Sequence, residues 1–272
     1  MIKHIVMWKF KDGEKENMKK FLEGLNSLKN IIPEIKYMET GININPKNDY
    51  DAILISEFET MDDLEKYKNK KLVAFTFDDG PNTKTTTRLL DGMEKYDAKA
   101  TFFVLGNRVA YHQEVLKRAY QEGHYIANHG YSHQYSQIYS SPETVLQEFN
   151  QCNSAVAKAI DVPEYNSHLF RFPGGSVGGK YANLKAEAVT LLEQNNIMHV
   201  DWNALTGDAE KSSPDEEYLM NNLQKTTQNK NSIVILMHDA QAKRVTVEFL
   251  PKLIEFFQQQ GYQFENFYSI IK

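Results

Sequence analysis

The sequence predicts an α/β protein in two parts: a small α+β segment over residues 1–69 and a parallel (β/α)7 barrel over residues 70–272. Two observations carry this reading. Up to Asn69 the apolar pattern reads β-α-β-β-α, with strand-like alternation at both ends of an amphipathic helix. From Lys71 the rhythm becomes strand, loop, helix, repeated, and strands alternating with helices imply a parallel sheet. About 200 residues suits a barrel slightly smaller than the eight-fold kind.

In the first segment, Ile2–Phe10 places Ile2, His4, Val6, Trp8 and Phe10 on one face of a strand. A helix follows Asp12-Gly13, with Met18, Phe21, Leu22, Leu25 and Leu28 at helical spacing. Strand-like runs follow at Ile35–Ile44 and Tyr50–Phe58, and Thr60 then reads as the N-cap of a short helix carrying Met61, Leu64 and Tyr67. In the second segment the strands fall at Leu72–Phe77, Ala100–Val104, His124–Asn128, His168–Phe172, Ile197–Trp202, Ser232–Met237 and Tyr262–Phe264. Ser141-Pro142 opens one intervening helix, and Ser213-Pro214-Asp215-Glu216 reads as a capping box before Leu219, Met220 and Leu223.

Composition narrows the function classes. The 272 residues are 41% hydrophobic and 25% charged, which is ordinary globular composition. With 31 basic and 36 acidic residues the net charge is −5, and no Lys/Arg-rich run appears, so charge-driven binding to nucleic acid or anionic membranes is excluded. The single cysteine, Cys152, rules out an internal disulfide framework and a Cys-rich zinc site. No apolar run approaches the roughly 18 residues a membrane helix needs. Met1–Phe10 is interrupted by charge and lacks a small-residue cleavage site, so no export signal is expected.

The chemistry gathers at strand ends, where a parallel barrel keeps its working residues. Strand one ends in Thr76-Phe77-Asp78-Asp79-Gly80, strand three in Asn128-His129-Gly130-Tyr131-Ser132-His133, and strand four in Arg171-Phe172-Pro173-Gly174. Strand five ends in Asp201-Trp202, and strand six in Leu236-Met237-His238-Asp239. Adjacent carboxylates such as Asp78-Asp79 resist joint ionisation unless a cation or a shared proton lies beside them. His129 and His133, four apart, share a face if the loop turns helical, which is a recurring metal-binding spacing. One carboxylate and two imidazoles leave coordination positions open, the catalytic rather than structural pattern. Zinc is the default ion for that set, and iron, cobalt or nickel also suit it.

Taken together, the five motifs resemble the polysaccharide deacetylases of the NodB homology domain, carbohydrate esterase family 4, over about Leu72 to Phe264. The resemblance implies a distorted (β/α)7 barrel and a metal-dependent hydrolase removing N-acetyl groups from a polysaccharide. It makes Asp79, His129 and His133 the ligands of one divalent metal, Asp78 the general base, and Arg171 the residue that orients it. His238 is then the catalytic acid, Asp201 the residue that tunes it, Gly174 a backbone oxyanion donor, and Trp202 and Leu236 the pocket for the acetyl methyl. Two positions depart from the family pattern. Gly174 stands where an aromatic usually ends the third motif, so an aromatic wall of the cleft is expected to be missing, and Gly130 replaces a Thr or Ser. Asp201-Trp202-Asn203 through Gly207-Asp208 look most like bacterial enzymes acting on peptidoglycan N-acetylglucosamine, ahead of chitin oligomers and acetylxylan.

Three rival readings fare worse. Gly174-Gly175-Ser176-Val177-Gly178-Gly179-Lys180-Tyr181 nearly spells a phosphate-binding loop, but Tyr181 stands where a Ser or Thr hydroxyl is required. A non-haem iron oxygenase leaves Asp78 and His238 without a task. A sugar-binding module without catalysis has no use for an intact base, ligand set and acid. The first segment resembles the stress-responsive α/β barrel (Dabb) domain through Met1–Phe10 and Glu65-Lys66-Tyr67-Lys68-Asn69. The pattern stops at Asn69, before the further helical portion and fourth strand of that family, so the segment reads as truncated. That family dimerises by pairing sheets, which makes a homodimer through this segment the assembly the likeness allows. His4 is read as packing.

Overall fold

The computed structural model describes residues 1–10, 15–27, 32–45 and 49–269. They form two compact units, Met1–Lys70 and Lys71–Lys272.

The first unit runs β1 (Ile2–Trp8), α1 (Lys15–Ser27), β2 (Tyr37–Ile42), β3 (Ala52–Phe58) and α2 (Met61–Asn69). Its antiparallel sheet has the order β1-β3-β2, with Ile2 opposite Phe58 and Trp8 opposite Ala52. The alternation in β1 is realised: Ile2, His4, Val6 and Trp8 are half-buried, whereas Ile5 and Met7 on the other face are exposed. Met18 and Leu22 of α1 bury against Ala52, and the Phe21 ring meets Trp8 edge-on at 5.0 Å. The expected helix start at Asp12-Gly13, and Leu28, lie outside the described residues. Thr60 caps α2 reciprocally. Its hydroxyl accepts from the Asp63 N–H at 3.1 Å, and the Asp63 carboxylate accepts from the Thr60 N–H at 3.2 Å. His4 packs edge-on against Phe58 and Tyr67.

The second unit begins β4 (Leu72–Asp78), α3 (Thr85–Glu94), β5 (Thr101–Val104), α4 (Gly106–Val109), α5 (Gln113–Gln121) and β6 (Tyr125–Asn128). It continues α6 (Tyr135–Ile138), α7 (Pro142–Ile160), β7 (Leu169–Phe170), α8 (Ala182–Gln194), β8 (Met198–His199) and β9 (Ala204–Leu205). It ends α9 (Glu216–Thr227), β10 (Ser232–His238), α10 (Arg244–Gln259), β11 (Gln263–Glu265) and a short 3-10 turn. The sheet is parallel, in the order β8-β7-β6-β5-β4-β10-β9. β11 pairs the first half of β4 and β5 the second half of it.

The curled sheet closes through irregular backbone. The run Ile197–Trp202, expected as one strand, is split between β8 at one edge of the sheet and the stretch leading to β9 at the other. Between them the Val200 N–H donates to the Phe170 carbonyl and the Asn203 N–H to the Val234 carbonyl, both at 3.0 Å. The chain thus crosses the seam at Asp201-Trp202, freeing both from the ladder.

Three hydrophobic clusters flank the sheet, one of them gathering Phe149, Phe170, Phe172 and Leu192 between α7, β7 and α8. Val73, Phe75 and Phe77 of β4, with Ile233, Ile235 and Met237 of β10, pack outward against Leu89, Leu250, Leu253 and Phe257 of the helices. The alternate residues face the barrel interior, where Ala74, Phe103, Tyr125, Ala127, Leu169 and Phe267 form a smaller cluster. On this inner face, at the carboxyl ends of the two strands, Asp78 and His238 stand opposite each other in register. A one-residue slip would turn either away from the other.

Of the two expected helix starts, Ser141 accepts from the Thr144 N–H at 3.2 Å, with Pro142 as the first helical residue. The start of α9 is corrected. Asp215 rather than Ser213 is the cap, because its Oδ1 accepts from the Tyr218 N–H at 2.8 Å.

Phe77 is fully buried and its ring stacks on Phe102 at 5.4 Å. Phe77→Ala is therefore expected to lower the unfolding free energy by about 3–5 kcal/mol, measured by urea denaturation.

Candidate active site

β4 delivers Asp78 to the barrel interior, 3% exposed, and the next residue, Asp79, turns the chain with φ at +79°. Asp79 Oδ1 lies 3.8 Å from His129 Nε2 and 3.4 Å from His133 Nε2. One ligand atom from each of the three residues lies within 4.8 Å of the others, the one such cluster among the described residues. The Asp79 Oδ1 atom is buried and has no hydrogen-bond partner. An orphaned carboxylate oxygen facing two imidazoles is costly unless a cation joins them, so the donor set fits a divalent metal.

The histidines converge differently from the helical expectation. The loop carrying them is irregular, turning at Gly130 (φ +84°) and His133 (φ +58°), and α6 begins only at Tyr135. Gly130, which departs from the family pattern, has a physical reason. A Cβ there would come within 2.9 Å of Ile138 Cδ1 and 3.2 Å of Glu148 Oε2. Glu148, buried on α7, accepts from the N–H groups of Tyr131 and Ser132 at 2.9 Å each, and from the Ser132 hydroxyl. This carboxylate holds the loop that presents His133, and nothing in the helix pattern singles it out. The His129 ring donates Nδ1–H to the Arg171 carbonyl at 2.8 Å, which leaves the Nε2 lone pair facing Asp79. Burial pushes its pKa down to about 3, so the ring is neutral and able to act as a ligand.

Arg171 is wholly buried. One guanidinium nitrogen donates to Asp78 Oδ1 at 2.9 Å and to the Thr76 hydroxyl at 2.7 Å. Its Nε donates to the Val200 carbonyl and its other terminal nitrogen to the Asp201 carbonyl, both at 3.1 Å. The guanidinium also covers the Phe103 ring at 3.9 Å. Burial raises the Asp78 pKa, and the Arg171 charge and hydrogen bond pull it back without cancelling the rise. Arg171 and Asp78 thus meet, the contact that the family resemblance implies.

His238 brings a correction. Its Nδ1 is 2.8 Å from Asp208 Oδ1, not on Asp201. Asp208 is buried, and its Oδ2 accepts from the His238 N–H at 2.8 Å and the Thr246 hydroxyl at 2.7 Å. Asp201 instead accepts from Ser176, through its N–H at 2.9 Å and its hydroxyl at 2.6 Å. The reason is the seam crossing: Asp201 sits before β9 and faces the glycine-rich loop, whereas Asp208 follows β9 beside the end of β10. The phosphate-loop lookalike therefore cradles a carboxylate of its own chain. Burial opposes a charge on His238, but the Asp208 hydrogen bond and the nearby carboxylates outweigh it and raise the pKa to about 9.

Gly174 turns with φ at +75°, and a Cβ there would meet the Tyr135 hydroxyl at 2.7 Å. The missing aromatic wall is thus supplied from α6: Tyr135 stands over Gly174 and edge-on to His133 at 5.7 Å. Trp202 lies beside Gly175, with its ring 5.8 Å from the Arg171 guanidinium. Leu236 is half-buried on the inner face of β10, two residues before His238. The structure also buries Asp239 behind Gly80, where burial raises its pKa to about 7 and the Thr86 hydroxyl donates to it at 2.6 Å. His124 accepts from the Ala100 N–H at 3.0 Å within the core.

Comparison with known proteins agrees with this geometry. The family profile Polysaccharide deacetylase matches residues 65–191. The Bacillus subtilis protein YheN is 34% identical over 223 residues, 80% of this chain and 73% of its own length, and its name assigns it to the polysaccharide deacetylases. The chain belongs to the polysaccharide deacetylase family. The peptidoglycan-N-acetylmuramic acid deacetylase PdaC of Bacillus subtilis is 32% identical over 87% of this chain, which spans 46% of PdaC. The catalytic domain of a peptidoglycan N-acetylglucosamine deacetylase from Eubacterium rectale superposes with a TM-score of 0.65. It is 32% identical, with coverage of 72% of this chain and 88% of that one. The Stress responsive A/B Barrel Domain profile matches residues 2–91. The two profiles overlap at residues 65–91, where β4 and α3 already belong to the unit of the deacetylase sheet.

The Asp208 contact predicts a titration. In this deacetylase His238 keeps its proton at neutral pH and loses it as pH rises through about 9. Asp208→Asn removes the charge that holds the proton, so the ring should titrate at least about one unit lower in NMR. Asp201→Asn should leave the His238 titration in place.

Proposed function

We propose that this chain is a metal-dependent deacetylase that removes N-acetyl groups from N-acetylglucosamine units of peptidoglycan. The observation that carries the reading is the register of Asp78 and His238, on adjacent strands beside the Asp79, His129 and His133 cluster. Hydrolysis of an acetamide needs a base for the attacking water and an acid for the departing amine, and these two residues supply them. The substrate class follows the Eubacterium rectale and PdaC likenesses, with chitooligosaccharides and acetylxylan as the alternatives to test beside it.

Asp79, His129 and His133 would hold the cation, zinc by default, with cobalt, nickel or iron suited to the same donors. When bound, such an ion polarises an acyl oxygen and makes water acidic near neutral pH. Asp78, held by Arg171, takes the proton from the attacking water. The Gly174 N–H donates to the oxygen that gains charge, while Trp202 and Leu236 receive the acetyl methyl. His238, kept protonated by Asp208, gives its proton to the nitrogen as the carbon–nitrogen bond breaks. Acetate and a free amino sugar leave. An oxygenase reading gives the Asp78–His238 pair no task.

Two variants separate the roles. His129→Ala should lower bound metal, by elemental analysis, and activity together. Asp78→Asn should keep its metal while acetate release falls by about 10²–10⁴, the usual worth of acid–base help. An active Asp78→Asn enzyme would require another base. Acetate release from peptidoglycan, chitooligosaccharides and acetylxylan, with and without chelator, tests substrate and metal dependence in one experiment.

The catalytic assignments all fall between Asp78 and His238, so residues 70–272 are proposed as the catalytic domain and 1–69 as an accessory domain that pairs copies of the chain. Deleting residues 1–69 is expected to leave acetate release within a few-fold and to change the oligomeric state in size-exclusion chromatography. A folded but inactive remainder would mean that the first unit builds part of the cleft.

A further inference from the structure

Beside the reacting centre lies a cleft of about 600 Å³ that Asp79 and His133 line at one end. Its remaining wall includes Asn107, Arg108, Tyr111 and Ser132, none of which takes part in the steps above. The wall is tied to the site. The N–H groups of Gly106 and Asn107 donate to the carbonyls of Gly130 and Tyr131 at 3.0 and 3.1 Å, so α4 and the His133 loop hold one position.

Three features of this wall ask for a ligand. Arg108 is half-buried and, like Arg88, has no carboxylate within ion-pair distance among the described residues, whereas Arg118, Arg171 and Arg244 each have at least one. A guanidinium drawn partly out of water without a counter-charge is costly, and its fork matches a carboxylate. Asn107 Oδ1 is buried without a hydrogen-bond partner, and the amide nitrogen reaches only the Ser132 carbonyl, at 3.4 Å. That leaves an acceptor for a hydroxyl or amide donor. Tyr111, 85% exposed, adds an aromatic ring to the lining, an apolar surface against which a sugar ring can pack. In a chain of net charge −5, an unpaired cation in the cleft selects for an anionic ligand.

We propose that this cleft is a subsite for a carboxylate-bearing sugar unit next to the one deacetylated. Arg108 takes the carboxylate, Asn107 Oδ1 accepts from a hydroxyl or amide, and Tyr111 covers the ring. The inference rests on the peptidoglycan reading and sharpens it, because chitin offers no carboxylate at any unit. Two kinds of peptidoglycan carboxylate meet the description: that of the lactyl ether on muramic acid, free where no peptide is attached, and those of the stem peptide where it is.

The test compares the full-length protein and its Arg108→Ala and Arg108→Lys variants on three substrates: peptide-free glycan oligomers, peptide-bearing glycan and chitooligosaccharides. Arg108→Ala should lower kcat/KM on a carboxylate-bearing glycan by about tenfold, mainly through KM, with activity on chitooligosaccharides within about twofold. Arg108→Lys should recover part of the loss by keeping the charge. A loss on peptide-free oligomers assigns the lactyl carboxylate, and a loss confined to peptide-bearing glycan assigns the stem. Chitooligosaccharide turnover also reports that the variant is folded. Equal losses on all three substrates, or none, would overturn the subsite while leaving the deacetylase reading intact. An unmodified protein inert on both glycans but active on chitooligosaccharides would instead overturn the peptidoglycan reading, and this inference with it.

Discussion

The buried guanidinium of Arg171 is the constraint on which the rest of the site depends. It sits at the end of β7 with no water to solvate it, so each of its donors must find an acceptor within the protein. Those acceptors are Asp78 and Thr76 on β4 and the carbonyls of Val200 and Asp201 at the seam. One side chain thereby joins a central strand to the irregular crossing that closes the barrel. The backbone of the same residue holds the His129 ring through its carbonyl. The orientations of Asp78, the proposed base, and of His129, a proposed metal ligand, are set by the same residue, and neither can shift without leaving a buried polar group unpaired.

Around that anchor the site separates its charges by environment. Asp78 lies deep beside Arg171, His129 is buried and neutral, and His238 is held protonated by Asp208. A proposed base and a proposed acid on adjacent strands suit a reaction that moves one proton off water and another onto nitrogen. The supporting shell is acidic as well. Glu148 holds the His133 loop and Asp201 holds the glycine-rich loop through Ser176. Buried carboxylates accepting backbone N–H groups fix loops that have no regular structure of their own.

Much of this was legible in the sequence because the signals are local. Strand ends with titratable residues, the Asp78-Asp79 pair and the His129/His133 spacing all lie within short windows, and the alternation of β4 and β10 tells which face they share. The fold class followed from the repeating strand and helix rhythm. Gly130 and Gly174 read as departures from the family pattern, and the structure gives each a reason in the space that Ile138, Glu148 and Tyr135 occupy.

The residue types and their order pointed to the parallel sheet and to the carboxylates and histidines at its strand ends, since backbone periodicity and the chemistry of each side chain are properties of the chain itself, and the family resemblance proposed which of them are ligands, base and acid. Only the tertiary structure decided which partner each of these meets. Asp201 and Asp208 are both plausible neighbours of His238 in one dimension, and the choice fell to Asp208 because the chain crosses the barrel seam between them. Tyr135 came to replace an aromatic expected at position 174 for a similar reason, as α6 folds back over the third motif. Contacts between residues tens of positions apart depend on how loops cross the mouth of the sheet, and that geometry is written in no local pattern.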